Sequence, residues 1–551
     1  SRAKLGHVQT SYGEVRFALP NTDRDPNNPN NLLIAYSRQS NPGQWQNGLY
    51  ETREHVWPRS RGVGSGDNNT AGAFGDIHHL RPLDQDTNSD RSNASFGTAV
   101  ASGSNRNIGS FYYPGDADAG DVARIAFYMA TRWEDRGLKI VNGAGNSSAG
   151  EMGDLRSLLA WHYRDVPDTF ERRRNHVIYT DYTNNRNAYI DRPEYAWAAF
   201  AGDDNDTLLY IGLPGLDGSS VVQQDFGKVL AGSSTPTASF TINKLGDDGT
   251  YYSVTSSGDV AADVAGRLNA FELGQSGGRD VNVTVSSAAI ATPGAFSGSV
   301  TVDNLDVTLN GGNGRGGNDG DDVAMFGGTA VAASNASFAA TSDVESLTLD
   351  LGIIGRGLGD SVASLDVFNF DAAGLGETLT AGLDLDGFAA TNNRGFSLAI
   401  DPLAQDIAAG ESGTVDVSLL DTFVGVFEDT YAIITGDADN VLGGRDLGDL
   451  LTLDLVGEVR IGGDTNGDQR VDLADFLVLR TNFGADADVG FIDGDFNRDG
   501  TVDLIDFLIL RDNFGVSSDL AALDAWRATV PEPSLLAGLV FGGVLLRRRS
   551  R

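Results

Sequence analysis

Near residue 213 the chain changes its hydrophobic period, and that change excludes a single fold. Before it, apolar residues recur at helical spacing: Val122, Ile125, Met129 and Trp133 between Gly120 and Gly137, then Leu155, Leu158, Leu159 and His162. Such spacing places one stripe of a helix against a core. A third helix is expected at about 167–179, with Asp168 after Pro167 as its N-cap. After residue 213 the period becomes two. Segments such as 238–242, 281–285, 299–302, 346–352, 379–385, 396–400, 414–420 and 429–434 alternate apolar and polar residues between Gly or Asn-Gly turns. That pattern belongs to short strands of packed sheets. With 551 residues, several cores are needed. The expected fold class is multidomain, with an α+β domain at 1–212 and an all-β sandwich middle region split near 333 into 213–333 and 334–460. A small α-helical module at 461–516 and a short C-terminal apolar helix within 529–551 complete it. Within 1–50 only short extended runs and polar turns are expected, including a strand at 32–36. The Gly-rich run at 311–322 reads as a loop.

Charge follows the same boundary. The first 212 residues carry 22 basic and 26 acidic side chains, and the rest carry 18 and 50. A polyanion would therefore meet enough arginine only in the N-terminal part, where Arg172-Arg173-Arg174, Arg186 and Arg192 cluster. Phosphate contact and a solvated helix face are the two uses open to that cluster. The chain has no cysteine, which excludes disulfides and thiolate sites.

Reactive side chains concentrate between residues 53 and 96. Three blocks stand there: Arg53-Glu54-His55-Val56-Trp57-Pro58, Asp76-Ile77-His78-His79-Leu80-Arg81-Pro82 and Asn88-Ser89-Asp90-Arg91-Ser92-Asn93. Hydrolysis of a phosphodiester needs a base for the attacking water and positive charge near the phosphate oxygens. An imidazole titrates near neutrality, so His55 suits the first task. Mg²⁺ suits the second; it prefers hard oxygens and keeps several of its waters. Glu54 offers a carboxylate and Asn88 an amide oxygen. Adjacent strand residues point to opposite faces, so Glu54 and His55 serve one phosphate only where the strand ends or twists. Pro58 and the glycines at 62, 64 and 66 are consistent with such an end.

Together with Asn185-Arg186-Asn187-Ala188-Tyr189-Ile190-Asp191-Arg192-Pro193-Glu194 these make four blocks in order. Over roughly residues 1–210 the sequence thereby resembles the bacterial endonuclease I family, nonspecific nucleases of the ββα-metal (His-Me finger) type. The resemblance implies a ββα-metal nuclease domain with His55 as general base and Glu54 and Asn88 as ligands of a catalytic Mg²⁺. It also implies an arginine on the phosphate. Arg61, Arg81 and Arg91 are the candidates, and Arg91 is carried forward as catalytic. Asn93 is the rival amide ligand. Asp76, hydrogen-bonded by His78 or His79, is expected to support the metal site, while His7, His162 and His176 are expected to be structural. The implied substrate is DNA, with RNA beside it. The alternative is a surface adhesion or scaffold protein whose nuclease-like domain binds nucleic acid without cutting it.

Two further stretches carry signals. Asp464, Asn466, Asp468, Arg470, Asp472 and Asp475 recur as Asp495, Asn497, Asp499, Thr501, Asp503 and Asp506. Oxygen side chains at loop positions 1, 3, 5, 9 and 12, with a backbone carbonyl at 7 from Arg470 or Thr501, match the oxygen cage of Ca²⁺. Each loop runs into an apolar helix ending in Asn-Phe-Gly, and the pair resembles a type I dockerin, an EF-hand-like module. That resemblance implies two structural Ca²⁺ ions and a cohesin-type protein partner. Finally, Val530-Pro531-Glu532-Pro533, an apolar run from Leu535 to Leu546 and the arginines at 547–549 resemble the PEP-CTERM sorting signal. This implies transient membrane anchoring, processing by an exosortase-type enzyme, and an exported protein at the cell surface or outside the cell.

Overall fold

The computed structural model describes residues 6–202, 204–216, 218–308, 319–392, 394–402 and 404–517. The apolar tail expected at 529–551 lies wholly outside the described residues, and the Gly-rich run at 311–322 lies mostly outside them. Among the described residues, no helix is long and apolar enough to cross a membrane. The chain forms two compact units, one of residues 1–224, 237–284 and 297–326, the other of residues 225–236, 285–296 and 327–551.

The first unit opens with a helix that the sequence reading did not expect, α1 (Tyr12–Thr22). Its N-terminus is closed by a capping box, in which Ser11 accepts from the Glu14 N–H and Glu14 reaches back to Ser11. Pro20 lies inside the last turn, where it cannot donate to the carbonyl four residues before it, and the helix ends two residues later. The strand expected at 32–36 is confined to Asn31–Leu33.

Next comes an antiparallel hairpin, β1 (Thr52–His55) and β2 (Leu80–Leu83), in which Glu54 lies opposite Arg81 and His55 opposite Leu80. The short helix α2 (Gln85–Arg91) follows directly, capped by Asp84. Behind them lie α3 (Ala119–Arg132), α4 (Leu155–Arg164) and α5 (Thr169–Val177), then the short helices α6 (Ala188–Asp191) and α7 (Tyr195–Phe200). The expected N-cap of α5 is present, Asp168 accepting from the Glu171 N–H at 2.7 Å. Trp57, Ile77, Leu80, Phe127 and Trp161 are fully buried in one core, each contributing roughly 1.5–3 kcal/mol by leaving water.

In the same unit β3 (Leu208–Tyr210), β4 (Thr237–Leu245), β5 (Thr250–Gly258), β6 (Val260–Ala262), β7 (Gly266–Phe271) and β8 (Gly277–Val285) build sheets. One sheet has the order β3-β4-β8-β6, and β5 pairs with β7 and with residues 298–304. These strands are packed on the helices. Tyr163 of α4 and Trp197 of α7 share a buried cluster with Tyr251 and Ala270. The Tyr251 hydroxyl donates to the His162 carbonyl at 2.5 Å, and Arg267 pairs with the buried Glu194.

In the second unit, β9 (Ala336–Ser337), β11 (Ser361–Asn369), β13 (Phe396–Ile400) and β14 (Ser412–Leu419) form a sheet ordered β9-β11-β14-β13. A second sheet, of β10 (Ser346–Gly355), β12 (Leu383–Ala390), β15 (Gly425–Asp437) and β16 (Leu450–Arg460), runs β10-β16-β15-β12. Val367, Val415 and Val417 of one sheet and Ile433, Leu453 and Leu455 of the other share the core between them, which is why every second residue along these strands is apolar. The unit closes with α8 (Leu473–Asn482) and α9 (Leu504–Asn513).

Candidate active site

The hairpin and α2 form a strand–strand–helix unit whose polar side chains are fixed by the alternation of β1. Thr52 and Glu54 project to one face and Arg53 and His55 to the other. On the first face the Asn88 amide donates to the Thr52 hydroxyl at 2.9 Å, and Glu54 Oε1 accepts from the Tyr36 hydroxyl at 2.8 Å and lies 3.2 Å from Arg91 Nη1. Glu54 Oε2 and the Asn88 side-chain oxygen accept no hydrogen bond among the described residues. Burial raises the Glu54 carboxyl above its usual range, against the opposing pull of Arg91 and the Tyr36 hydroxyl.

On the second face His55 lies against the Tyr12 ring (centroids 5.2 Å apart), the Phe74 ring (4.9 Å) and the His79 ring (5.3 Å). Its Nε2 is 3.1 Å from the Phe74 carbonyl oxygen. A carbonyl only accepts, so Nε2 carries the proton and Nδ1 is the basic nitrogen. Nδ1 makes no hydrogen bond among the described residues, in a side chain that is 6% exposed. Burial holds the imidazole well below its ordinary value, helped by His79, Arg59 and Arg53 and opposed by the Phe74 carbonyl. β1 ends at His55, as the sequence required.

Asp76 sits behind this face as a hub, and His78 bonds to it through its backbone N–H, not through its ring. The Asp76 carboxylate accepts from the His78 backbone N–H, the Tyr128 hydroxyl and the Trp133 indole. The imidazoles bond to carbonyls instead, His78 to Asn185 at 3.1 Å and His79 to Ala73 at 2.9 Å. Both rings are fully buried and pushed down to about 4 by that burial, so they are neutral near pH 7 and act as fixed props. Gly75 permits the close approach this needs; a Cβ there would lie 2.5 Å from the Thr10 carbonyl oxygen. Asn93 is exposed and donates to the Ser60 hydroxyl.

The three arginines expected near the phosphate are all buried and bonded to carbonyls or carboxylates of the protein. Arg91, 1% exposed, donates from Nη1 to the His55 carbonyl at 3.0 Å and from Nη2 to the Val56 carbonyl at 2.7 Å, besides pairing with Glu54. It staples α2 to β1. Arg61 donates to the carbonyls of Asn93, Ala144 and Glu151, and Arg81 pairs with Asp23 and Asp121. The later cluster divides too. Arg173 holds the carbonyls of Asn21 and Thr22, while Arg174 holds those of Ile77, His78 and Leu80. The guanidinium that sequence reasoning missed is Arg59. It is exposed, lies 5.1 Å over the Phe74 ring, acts electrostatically on His55, and has no ion-pair partner among the described residues. Arg53 also acts on His55; it lies 3.5 Å over the Tyr12 ring and donates to the Tyr12 carbonyl. The place of Arg59 four residues after His55 was the available signal.

Among the described residues, no three Asp, Glu, His or Cys side chains converge as a ready metal cluster. In the C-terminal repeats the acids at positions 1 and 12 are buried and bonded to their own loops. Asp464 accepts from the N–H groups of Gly467 and Gln469, and Asp475 from those of Thr465 and Asp472. Asp495 and Asp506 repeat the arrangement with Gly500, Phe496 and Asp503. Burial raises the carboxyls of Asp464 and Asp506, and the partner acids Asp475 and Asp495 raise them further. Asp472 and Asp503, expected at position 9, cap α8 and α9. Asn466, Asp468, Asn497 and Asp499 fill the exposed turns, where Asp468 and Asp499 accept from the N–H groups of Arg470 and Thr501.

The family model for Endonuclease I matches residues 4–194, and that for the dockerin type I domain matches residues 462–515. An extracellular ribonuclease of Bacillus amyloliquefaciens is 42% identical over 201 residues, which span 35% of this chain and 68% of that protein. One of Bacillus subtilis is 43% identical over 208 residues, 35% of this chain and 69% of that protein. The four sequence blocks and the site built from them fall inside the matched residues, and the chain belongs to the endonuclease I family, with a dockerin type I domain behind it.

Proposed function

We propose that the N-terminal part is a ββα-metal nuclease domain that hydrolyses internal phosphodiester bonds of DNA and RNA with little base preference, in a protein that works outside the cell. One observation carries this reading: the Phe74 carbonyl pins the His55 tautomer, leaving a neutral Nδ1 without a hydrogen bond at the end of β1. The order β1, β2, α2 supports the fold, and the relatives named extracellular ribonucleases support RNA as a substrate and export.

Glu54 and Asn88 fit a Mg²⁺ ion by the chemistry of their donors. They are hard oxygens, one from β1 and one from α2 on the Thr52 side of that strand, and burial disfavours the Glu54 charge that a cation would restore. Mg²⁺ takes one or two carboxylates and keeps its waters, so such a site needs no three-acid cluster. Held there, the ion would supply positive charge to the phosphate and its leaving oxygen. His55 Nδ1 takes the proton of the attacking water. Arg59 and Arg53 hold the phosphate in front of that ring, and Arg91 keeps Glu54 and the His55 backbone in register. Asp76, gripped by Tyr128 and Trp133, keeps the loop before β2 from shifting.

We assign the remaining parts on the same basis. Residues 334–460 are a sandwich domain, and residues 213–333 are sandwich strands divided between the two compact units. The repeats at 461–516 hold two Ca²⁺ ions through Asp464, Asn466, Asp468, Asp475 and the Arg470 carbonyl, and through Asp495, Asn497, Asp499, Asp506 and the Thr501 carbonyl; the mutually repelling pairs Asp464/Asp475 and Asp495/Asp506 fit a divalent cation. A cohesin-type domain is the partner, and 529–551 is a sorting tail that anchors the chain to a membrane until an exosortase-type enzyme processes it. The test is digestion of plasmid and of RNA by the full chain with Mg²⁺ and with EDTA. His55→Ala is expected to abolish cutting with the fold intact. Undiminished cutting overturns the assignment, and binding without cutting in the unmodified protein supports the scaffold alternative.

A further inference from the structure

A cavity of about 390 Å³ opens between α3, α6, α7 and the segment around Val307, within the size range of small-molecule sites. Its walls are the rings of Tyr128, Tyr189 and Tyr195, and its charge comes from Arg132 and Arg186. Arg186 is neutralised by Asp191, bonded at 2.6 Å from Nε and from Nη2. Arg132 is different. It is 5% exposed, its guanidinium lies 4.3 Å over the Trp133 ring, and it has no ion-pair or hydrogen-bond partner among the described residues. A buried guanidinium without an anion is costly, and this one lines an open cavity. Tyr189 is held in place by its hydroxyl contact with Thr131 at 2.7 Å, while Tyr195 stands at the rim, 45% exposed.

The geometry points to a binding site for a nucleoside monophosphate group, with the phosphate on Arg132 and the base against the tyrosine rings. Charge demands an anion, and three aromatic walls favour a flat π-system over inorganic phosphate. The site is separate from the His55 face. Tyr128 connects the two, because one side of its ring lines the cavity while its hydroxyl donates to Asp76. The ligand is a free nucleotide or the phosphorylated end of a strand, and both present the same chemistry.

Calorimetric titration of the full chain in EDTA with adenosine 5′-monophosphate tests this, and the outcome does not depend on whether the protein cuts. Saturable binding is expected, weakened roughly ten- to a hundredfold in Arg132→Gln and by about fivefold or more in Tyr195→Ala. Tyr195 is exposed, so that variant folds even if the first does not. Adenosine and inorganic phosphate alone are expected to bind far more weakly. No binding of the nucleotide, equal binding of inorganic phosphate, or indifference to both substitutions overturns the proposal. A 5′-phosphorylated oligonucleotide added to His55→Ala in EDTA separates the sources: if its affinity falls with Arg132→Gln by the same factor a strand end enters the cavity, and if Arg132→Gln affects only the monophosphate the occupant is the free nucleotide.

Discussion

Replacing Arg91 with alanine separates the staple described above from the phosphate clamp that the sequence led one to expect. The substitution would leave Glu54 buried with only the Tyr36 hydroxyl, and would remove the donors to the His55 and Val56 carbonyls. Removing one member of a buried ion pair costs roughly 3–5 kcal/mol, because the other charge remains without compensation. Water entering the new cavity rescues part of the carbonyl loss, so about 4 kcal/mol is a fair figure. For a body of about 300 residues each kcal/mol moves the midpoint by roughly 1.5–2 °C, so Tm should fall by about 6–8 °C. Tryptophan fluorescence is the assay, since Trp45, Trp57, Trp133, Trp161 and Trp197 all report on the first unit. Arg91→Lys should rescue little, because an ammonium cannot reproduce the planar fork. Arg91→Met with Glu54→Gln should recover most of the loss in stability, since a neutral pair needs no partner charge. If Arg91→Ala melts at the unmodified temperature while cleavage collapses, the side chain touches phosphate and the staple reading is wrong.

Arg59→Ala should show the opposite signature, a loss of about 10²–10³-fold in kcat/KM with stability changed by less than about 0.5 kcal/mol. The pH profile supplies an independent check. Burial and nearby positive charge depress the His55 imidazole, so its base form persists below the ordinary histidine value and the acid limb of kcat/KM at saturating Mg²⁺ should lie below pH 6.5; Arg59→Ala removes one depressing charge and should move that limb upward. A limb at or above 6.5 in the unmodified protein would contradict the assignment. Tyr251→Ala, in the strands packed on α4, should destabilise the first unit by roughly 3–5 kcal/mol, and unchanged tryptophan melting would show that the strands are a mere appendage. Calorimetry should count two Ca²⁺ per chain, falling to one in Asp475→Asn; a stoichiometry of zero at millimolar calcium would remove the dockerin assignment's metal.

The sequence was readable where one physical signal dominated. The spacing of Val122, Ile125 and Met129 marks α3, and Asp168 marks the start of α5, because a stripe and a cap are local properties. α1 was missed since Pro20 and a weak stripe masked it, although Ser11 and Glu14 spell its capping box. At the site, the residue types near His55 were legible but their partners were not. Whether a buried arginine meets a phosphate or a carbonyl depends on contacts distant in sequence, such as Arg174 with Ile77 and Leu80. The same holds for His78 and His79, whose bonds run to main-chain oxygens that every residue possesses and no motif can record.

The bond from Tyr251 to the His162 carbonyl has a consequence for biosynthesis. During translation the helical segment emerges some ninety residues before the tyrosine that covers α4, and the pieces at 297–326 that finish the same compact body come later still. A nascent chain halted near residue 212 would display Tyr163 and Trp197 as an uncovered greasy surface. Selection acting on this gene would therefore be expected to keep the catalytic segment and its β-rich neighbour together through recombination, so that in evolution they travel as one inheritable module.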